Sequence, residues 1–192
     1  MQLGFYFDQT RCVGCFTCAV ACKDWHDIPA GRANWMLVTC VEEGSFPHVF
    51  VAYLTRPCYH CEEPSCVEAC PVEAISKQKE NGIVVVDREA CLGESGCGGL
   101  CLDVCPFDAP QFGDEENPKM QKCDLCLERW QQEKRPVCVE ACPVRALDAG
   151  PLDELRSKYG YRQEAAGFVH VSEVRPSVVM KGKTNPFSAD SH

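Results

Sequence analysis

The chain has 192 residues, enough for one ordinary core or two small ones, yet seventeen are cysteines, far more than packing uses. Acidic residues outnumber basic ones 28 to 19, a formal net charge of −9, and no arginine-rich face is visible to follow a phosphate backbone, which argues against a nucleic-acid partner. No stretch approaches the roughly eighteen apolar residues of a membrane helix, so a direct membrane span is excluded.

The opening MQLGFYFDQT has no basic segment, no apolar run of signal length and no twin arginine. No export signal of its own is therefore expected. The protein then either stays cytoplasmic, where cysteine clusters tend to mean metal, or becomes periplasmic or membrane-associated by leaving folded beside a signal-bearing partner. GFYFD at 4–8 reads as the first strand. The first cysteine run follows at Cys12, Cys15, Cys18 and Cys22, then an inserted loop over 25–48 and a strand-like VFVAYL at 49–54. The second run is Cys58, Cys61, Cys66 and Cys70, with Pro71 behind it. Asn81-Gly82 then marks a turn before the strand candidate IVVVD. The third run, CLGESGCGGLCLDVCPF, holds Cys91, Cys97, Cys101 and Cys105. In the fourth, Cys123 and Cys126 are separated by eleven residues from Cys138 and Cys142, and CDLCLERWQQEKRPVC places a helical pattern between the ligands, with Leu125 and Trp130 as contact residues. Beyond Gly150, PLDELRSKYG reads as a helix with Pro151 at its start and Gly160 at its end. The tail from Val174 has a brief strand candidate, then turns polar, and either frays or lies along a partner.

Three tails repeat, CVEACPVEAI, CLDVCPFDAP and CVEACPVRAL, which is internal duplication. Their chemistry is that of bacterial ferredoxins, in which three close cysteines wrap one iron–sulfur cubane and the fourth reaches its neighbour. Zinc is the chief rival, but runs of four with Cys-Pro endings exceed the two pairs a tetrahedral zinc needs.

Distance along the sequence pairs the runs. The second and third are joined by one short helix and hairpin and make an inner module over 49–112; the first and fourth must meet in space as an outer module of 1–24 plus 119–150. The expected fold is α+β, two ferredoxin-like modules with long loops and a C-terminal extension, 151–192, that docks a partner. Cys12, Cys15, Cys18 and Cys142 then share cluster 1, and Cys22, Cys123, Cys126 and Cys138 cluster 2. Cys58, Cys61, Cys66 and Cys105 share cluster 3, and Cys70, Cys91, Cys97 and Cys101 cluster 4. Four 4Fe-4S clusters are the expected cofactors.

From about Leu3 to Met180 the chain resembles the iron–sulfur electron-transfer subunits of the dimethyl sulfoxide reductase family. GFYFDQTRCVGCFTCAVACKDW, CYHCEEPSCVEACP and CVEACPVRALDAGPLDEL carry the resemblance. It implies a subunit that is no enzyme by itself. Such a subunit relays electrons between a molybdenum- or tungsten-pterin catalytic subunit and a membrane anchor or another carrier. The third run departs from the family's CxxCxxCxxxCP: Glu94 stands where its second cysteine belongs. LGESG reads as a lengthened loop in which Cys97 supplies the bond and glycines the unusual dihedrals. The alternative is a 3Fe-4S cluster.

No phosphate loop, dinucleotide fingerprint or Ser/His/Asp grouping suggests catalysis. The other functional reading is a free polyferredoxin shuttle. Cys40 belongs to no run and reads as a small buried hydrophobe rather than a ligand. His26, His48 and His60 read as surface or hydrogen-bonding residues. Lys23 either counters cluster charge or is simply solvated, and Trp25, Trp35 and Trp130 read as packing.

Overall fold

In the computed structural model, which describes residues 1–187, β1 (Leu3–Asp8) is buried along its whole length. Leu3, Phe5 and Phe7 enter the main core, whereas Tyr6 packs on the other side with Leu152, Leu155 and Val179. A strand apolar on both faces needs cover on both. The C-terminal part of the sequence supplies it.

In chain order there follow α1 (Thr17–Trp25), β2 (Leu37–Ser45), β3 (His48–Arg56), α2 (Ser65–Glu68), β4 (Ile75–Lys77) and β5 (Val84–Val86). Next come the short helices α3 (Glu94–Cys97), α4 (Leu100–Asp103), α5 (Leu127–Gln131) and α6 (Val137–Ala141). β6 (Leu147–Pro151), α7 (Leu152–Tyr159), β7 (Gln163–Glu164) and β8 (Val178–Lys181) complete a mixed α/β fold. One sheet has the order β6-β1-β8-β7, with β1 antiparallel to β6 and parallel to β8. Phe7 stands opposite Leu147 and Phe5 opposite Val178. This register draws the first cysteine run, just after β1, to the fourth, just before β6, and α1 packs on α6. The expected Asn81-Gly82 turn closes the β4–β5 hairpin, Asn81 Oδ1 accepting from the Ile83 amide at 2.9 Å. α2 packs on α4 and on β4.

Three expectations change. The segment expected as a loop contains β2, paired along its length with β3. β3 turns Phe50, Ala52 and Leu54 inward while β2 is mostly exposed, so β2 lacks the apolar alternation that marks a half-buried strand. Cys40 lies on that strand and is exposed, its Sγ 3.6 Å from Glu42 Oε1, so it is not a buried hydrophobe. Finally, the C-terminal extension is folded back: α7 covers β1, and β8 is a strand of the central sheet. Buried Gln9 ties it down, donating to the oxygens of Tyr53 (3.2 Å) and Ala166 (2.9 Å) and accepting from the amides of Ala166 (2.8 Å) and Lys183 (3.0 Å). The polar end of the tail, 188–192, lies outside the described residues.

Candidate metal centre

Each Cys-Pro tail makes the same turn. Proline disfavours the helical conformation for the residue before it, so α2, α4 and α6 all stop short of Cys70, Cys105 and Cys142. Three residues past each cysteine, Glu73, Asp108 and Arg145 adopt φ of 53°, 54° and 53°. The following buried alanine then aims its amide back at sulfur: Ala74 to Cys70 at 3.2 Å, Ala109 to Cys105 at 3.5 Å, Ala146 to Cys142 at 3.3 Å. All three tails carry the pattern CPxxA in sequence, and only the fold shows what its alanine does. The first run has no proline, and α1 continues through Cys22 to Trp25. Gly14 in that run has φ 66° and sits so close to the Tyr53 ring that a Cβ would lie 2.3 Å from it.

The structure gathers the run cysteines into four groups. Cys12, Cys15, Cys18 and Cys142 line one cavity, roofed by Val13, Phe16 and Val144. Cys70, Cys91, Cys97 and Cys101 line another. Cys22, Cys126 and Cys138 neighbour one another, with Cys123 beside Cys22, while Cys61 sits among Cys58, Cys105 and Cys66. The sets also adjoin one after another: Cys18 lies near Cys22 and Cys138, Cys123 near Cys58, and Cys66 near Cys101. That order is set 1, 2, 3, 4.

Burial, then mutual repulsion, pushes these thiols up: Cys22 and Cys66 to about 12, Cys18 and Cys101 to about 11, Cys123 and Cys138 well above the usual range. Cys15 is exposed and goes the other way, the Thr17 hydroxyl donating to its sulfur at 3.4 Å. Crowded buried thiolates need a cationic partner, and metal ligation deprotonates them. Which metal group fits is decided by spacing. Among the described residues no three run thiols lie within 4.8 Å of one another. A tetrahedral zinc, with Zn–S near 2.3 Å, holds its sulfurs only about 3.8 Å apart. That spacing suits a larger group, such as an iron–sulfur cluster, better than a single tetrahedral ion.

The lengthened third run is built on left-handed glycines. Gly93, Gly98 and Gly99 have φ of 83°, 70° and 73° around the single turn of α3, and Cys97 reaches the cavity wall. Glu94 turns away to pair with Arg32.

The remaining expectations divide. His26 Nε2 lies 3.4 Å from Cys126 Sγ, with Asp124 at 3.7 Å and the Trp35 ring against it. His60 is fully buried, its Nδ1 accepting from the Val84 amide at 3.0 Å, whereas His48 is exposed. Lys23 turns to the oxygens of Pro29 (3.2 Å) and Gly31 (3.4 Å). Trp25 lies under Arg129, Trp35 donates to Gln121 at 3.0 Å, and Trp130 is half-buried. Lys122 gives no signal in sequence, because a lysine before a ligand looks like any solvated lysine.

Residues 49–152 match the sequence family described as the 4Fe-4S dicluster domain. Over 196 residues the sequence is 41% identical to the B subunit of the anaerobic dimethyl sulfoxide reductase of Escherichia coli strain K12, spanning 96% of this chain and 90% of that one. The B subunit of the Haemophilus influenzae reductase is 38% identical over 192 residues, 94% and 89% of the two chains. The protein belongs to the dimethyl sulfoxide reductase family of iron–sulfur electron-transfer subunits. Protein NrfC of Escherichia coli strain K12 is a more distant relative, 33% identical over 175 residues, 86% of this chain and 76% of that one. The matched domain runs from β3 into α7 and holds three of the cysteine runs. The similarity to the reductase B subunits extends the relationship over the first run as well.

Proposed function

We propose that this subunit holds four 4Fe-4S clusters, each on one of the four cysteine sets, in two ferredoxin-like modules. In this reading it passes single electrons between a molybdenum- or tungsten-pterin catalytic subunit and a membrane anchor or another carrier. The observation that carries it is the thiol spacing: among the described residues no three run thiols lie within 4.8 Å of one another, whereas a tetrahedral zinc holds its sulfurs about 3.8 Å apart. Bound there, a 4Fe-4S cluster supplies reversible one-electron chemistry. The protein's own residues do the rest. β1, β6, α1 and α6 frame the outer module, and β4, β5, α2 and α4 the inner one. Apolar walls exclude water, and the alanine amides give the tail cysteines donors that tune sulfur. Cys97 completes the fourth set, so that cluster has four irons rather than three.

The two ends of the array support docking. Val13, Phe16 and Val20 are exposed beside set 1, and Val72, Leu92, Leu100 and Val104 beside set 4. Such apolar residues at both termini of the array give electrons an entry and an exit surface. Among the described residues no helix is long and apolar enough to cross a membrane, so membrane attachment in this reading comes from a separate anchor. Anaerobic purification from the native host tests the assembly. Co-elution with a molybdenum or tungsten protein is expected; a lone soluble subunit would mean a shuttle instead.

A further inference from the structure

Lys122 directly precedes Cys123 and is only 2% exposed. Its Nζ donates to the main-chain oxygen of Val84 and, at 3.0 Å, to that of Cys123. Among the described residues it makes no ion pair, whereas Arg129, similarly buried, is paired with Glu140. A buried cation without a counter-ion is costly and persists only where negative charge surrounds it. The surroundings here are thiols. The ammonium acts on Cys66 of the second run, Cys123 of the fourth follows it directly in the chain and gives it a main-chain oxygen, and Cys58 and Cys123 lie near each other. Val84 belongs to the β4–β5 hairpin, so the same amine ties the fourth run to the hairpin that links the second and third. His60, hydrogen-bonded to the Val84 amide, brings no negative charge to the joint. Lys77 adds to its positive side, donating to the oxygens of Cys61 at 2.6 Å and Glu62 at 3.1 Å.

We infer that Lys122 is a positioning residue that raises the reduction potentials of the two clusters flanking this joint. These are the cluster on Cys22, Cys123, Cys126 and Cys138 and the cluster on Cys58, Cys61, Cys66 and Cys105. Each reduction adds one negative charge, and a fixed cation in a low-dielectric interior favours the reduced form. One amine shared by both sets raises both together, which leaves the driving force of the electron step between them unchanged. The inference rests on the four-cluster reading.

The test is a redox titration of the anaerobically purified complex, followed by electron spin resonance, for the natural protein and for Lys122→Met, Lys122→Gln and Lys122→Arg. Methionine removes the charge at similar length; glutamine keeps an N–H donor; arginine keeps the charge. With full iron, the Met and Gln variants are expected to make the two flanking clusters about tenfold harder to reduce, 59 mV for a one-electron couple. The clusters of sets 1 and 4 stay where they were, and Lys122→Arg keeps all four midpoints near those of the natural protein. If Lys122→Met sheds iron, Lys122→Gln carries the measurement. Full iron with all four midpoints unmoved, or an equal fall in all four, overturns the inference. So does loss of iron from all three variants, which would make Lys122 a structural tie. Iron and sulfide in the natural protein judge the cluster count separately: fewer than four clusters there defeats the underlying reading, whatever Lys122 does.

Discussion

Cys97 reaches the wall of Cys70, Cys91 and Cys101 because glycine on both sides of α3 accepts a left-handed backbone that other residues adopt only at a cost. Cys97→Ala leaves three thiols in that set. Its iron content should fall by about one per subunit, with a three-iron signal on oxidation; iron unchanged and no such signal would remove Cys97 from the ligands. Asp148 carries a second prediction. Burial alone would raise its carboxyl, but Tyr159 (2.7 Å), Lys158 (3.1 Å), the Ala149 amide (2.9 Å) and Arg135 (2.6 Å) together hold it below the usual value. A depressed carboxylate stabilises the fold above its unfolded pKa, about 4, and loses that contribution as pH falls through the lower folded value. Asp148→Asn should therefore cost roughly 2 kcal/mol at pH 7 in anaerobic thermal unfolding. The deficit should hold constant to pH 5 and shrink below about pH 4; one that grew on acidification would contradict the assignment. At this scale the cysteines were legible because their spacing repeats. Cys40 and Lys122 were not, since only tertiary packing decides that the thiol faces water and the amine does not.

Helix α1 shows what one missing proline does. Lys23 follows Cys22 where the other runs have proline, so the helix carries on past the cysteine. The His26 amide then reaches the Cys22 oxygen at 3.1 Å, with the imidazole beside Cys126. Lys23→Pro would impose the Cys-Pro ending here. A helix-interior proline removes a hydrogen bond and clashes with the preceding turn, about 3 kcal/mol or more. The variant should melt earlier and lose iron from the set of Cys22, Cys123, Cys126 and Cys138, read by thermal unfolding and metal analysis; a natural melting point with full iron would show that α1 tolerates the break. Strands β1, β3 and β5 and helix α7 were legible because each joins an apolar pattern to turn or cap residues. β2 escaped because an exposed outer strand such as LVTCVEEGS needs only a partner's backbone, and no side-chain period announces that.

Across the whole molecule, the N- and C-terminal parts of the sequence form one sheet, and that closure brings the first and fourth cysteine runs together around the main core. Loop lengths lead to the expectation that the runs pair, which the four-cluster proposal keeps. The return of β8 to lie parallel with β1 was not legible, because such pairing joins residues about 170 apart with no local signal. It makes the extension part of the scaffold, and the exposed apolar residues beside sets 1 and 4 are the surfaces proposed for docking. Everything proposed for this subunit depends on four cysteine sets each holding a four-iron cluster. The most direct measurement is iron and acid-labile sulfide per subunit in the anaerobically purified protein, combined with electron spin resonance of the oxidised and reduced states. About sixteen of each, with no three-iron signal on oxidation and four one-electron reductions, is the result predicted. About twelve to fifteen irons with a three-iron signal, or zinc in place of iron, would contradict it.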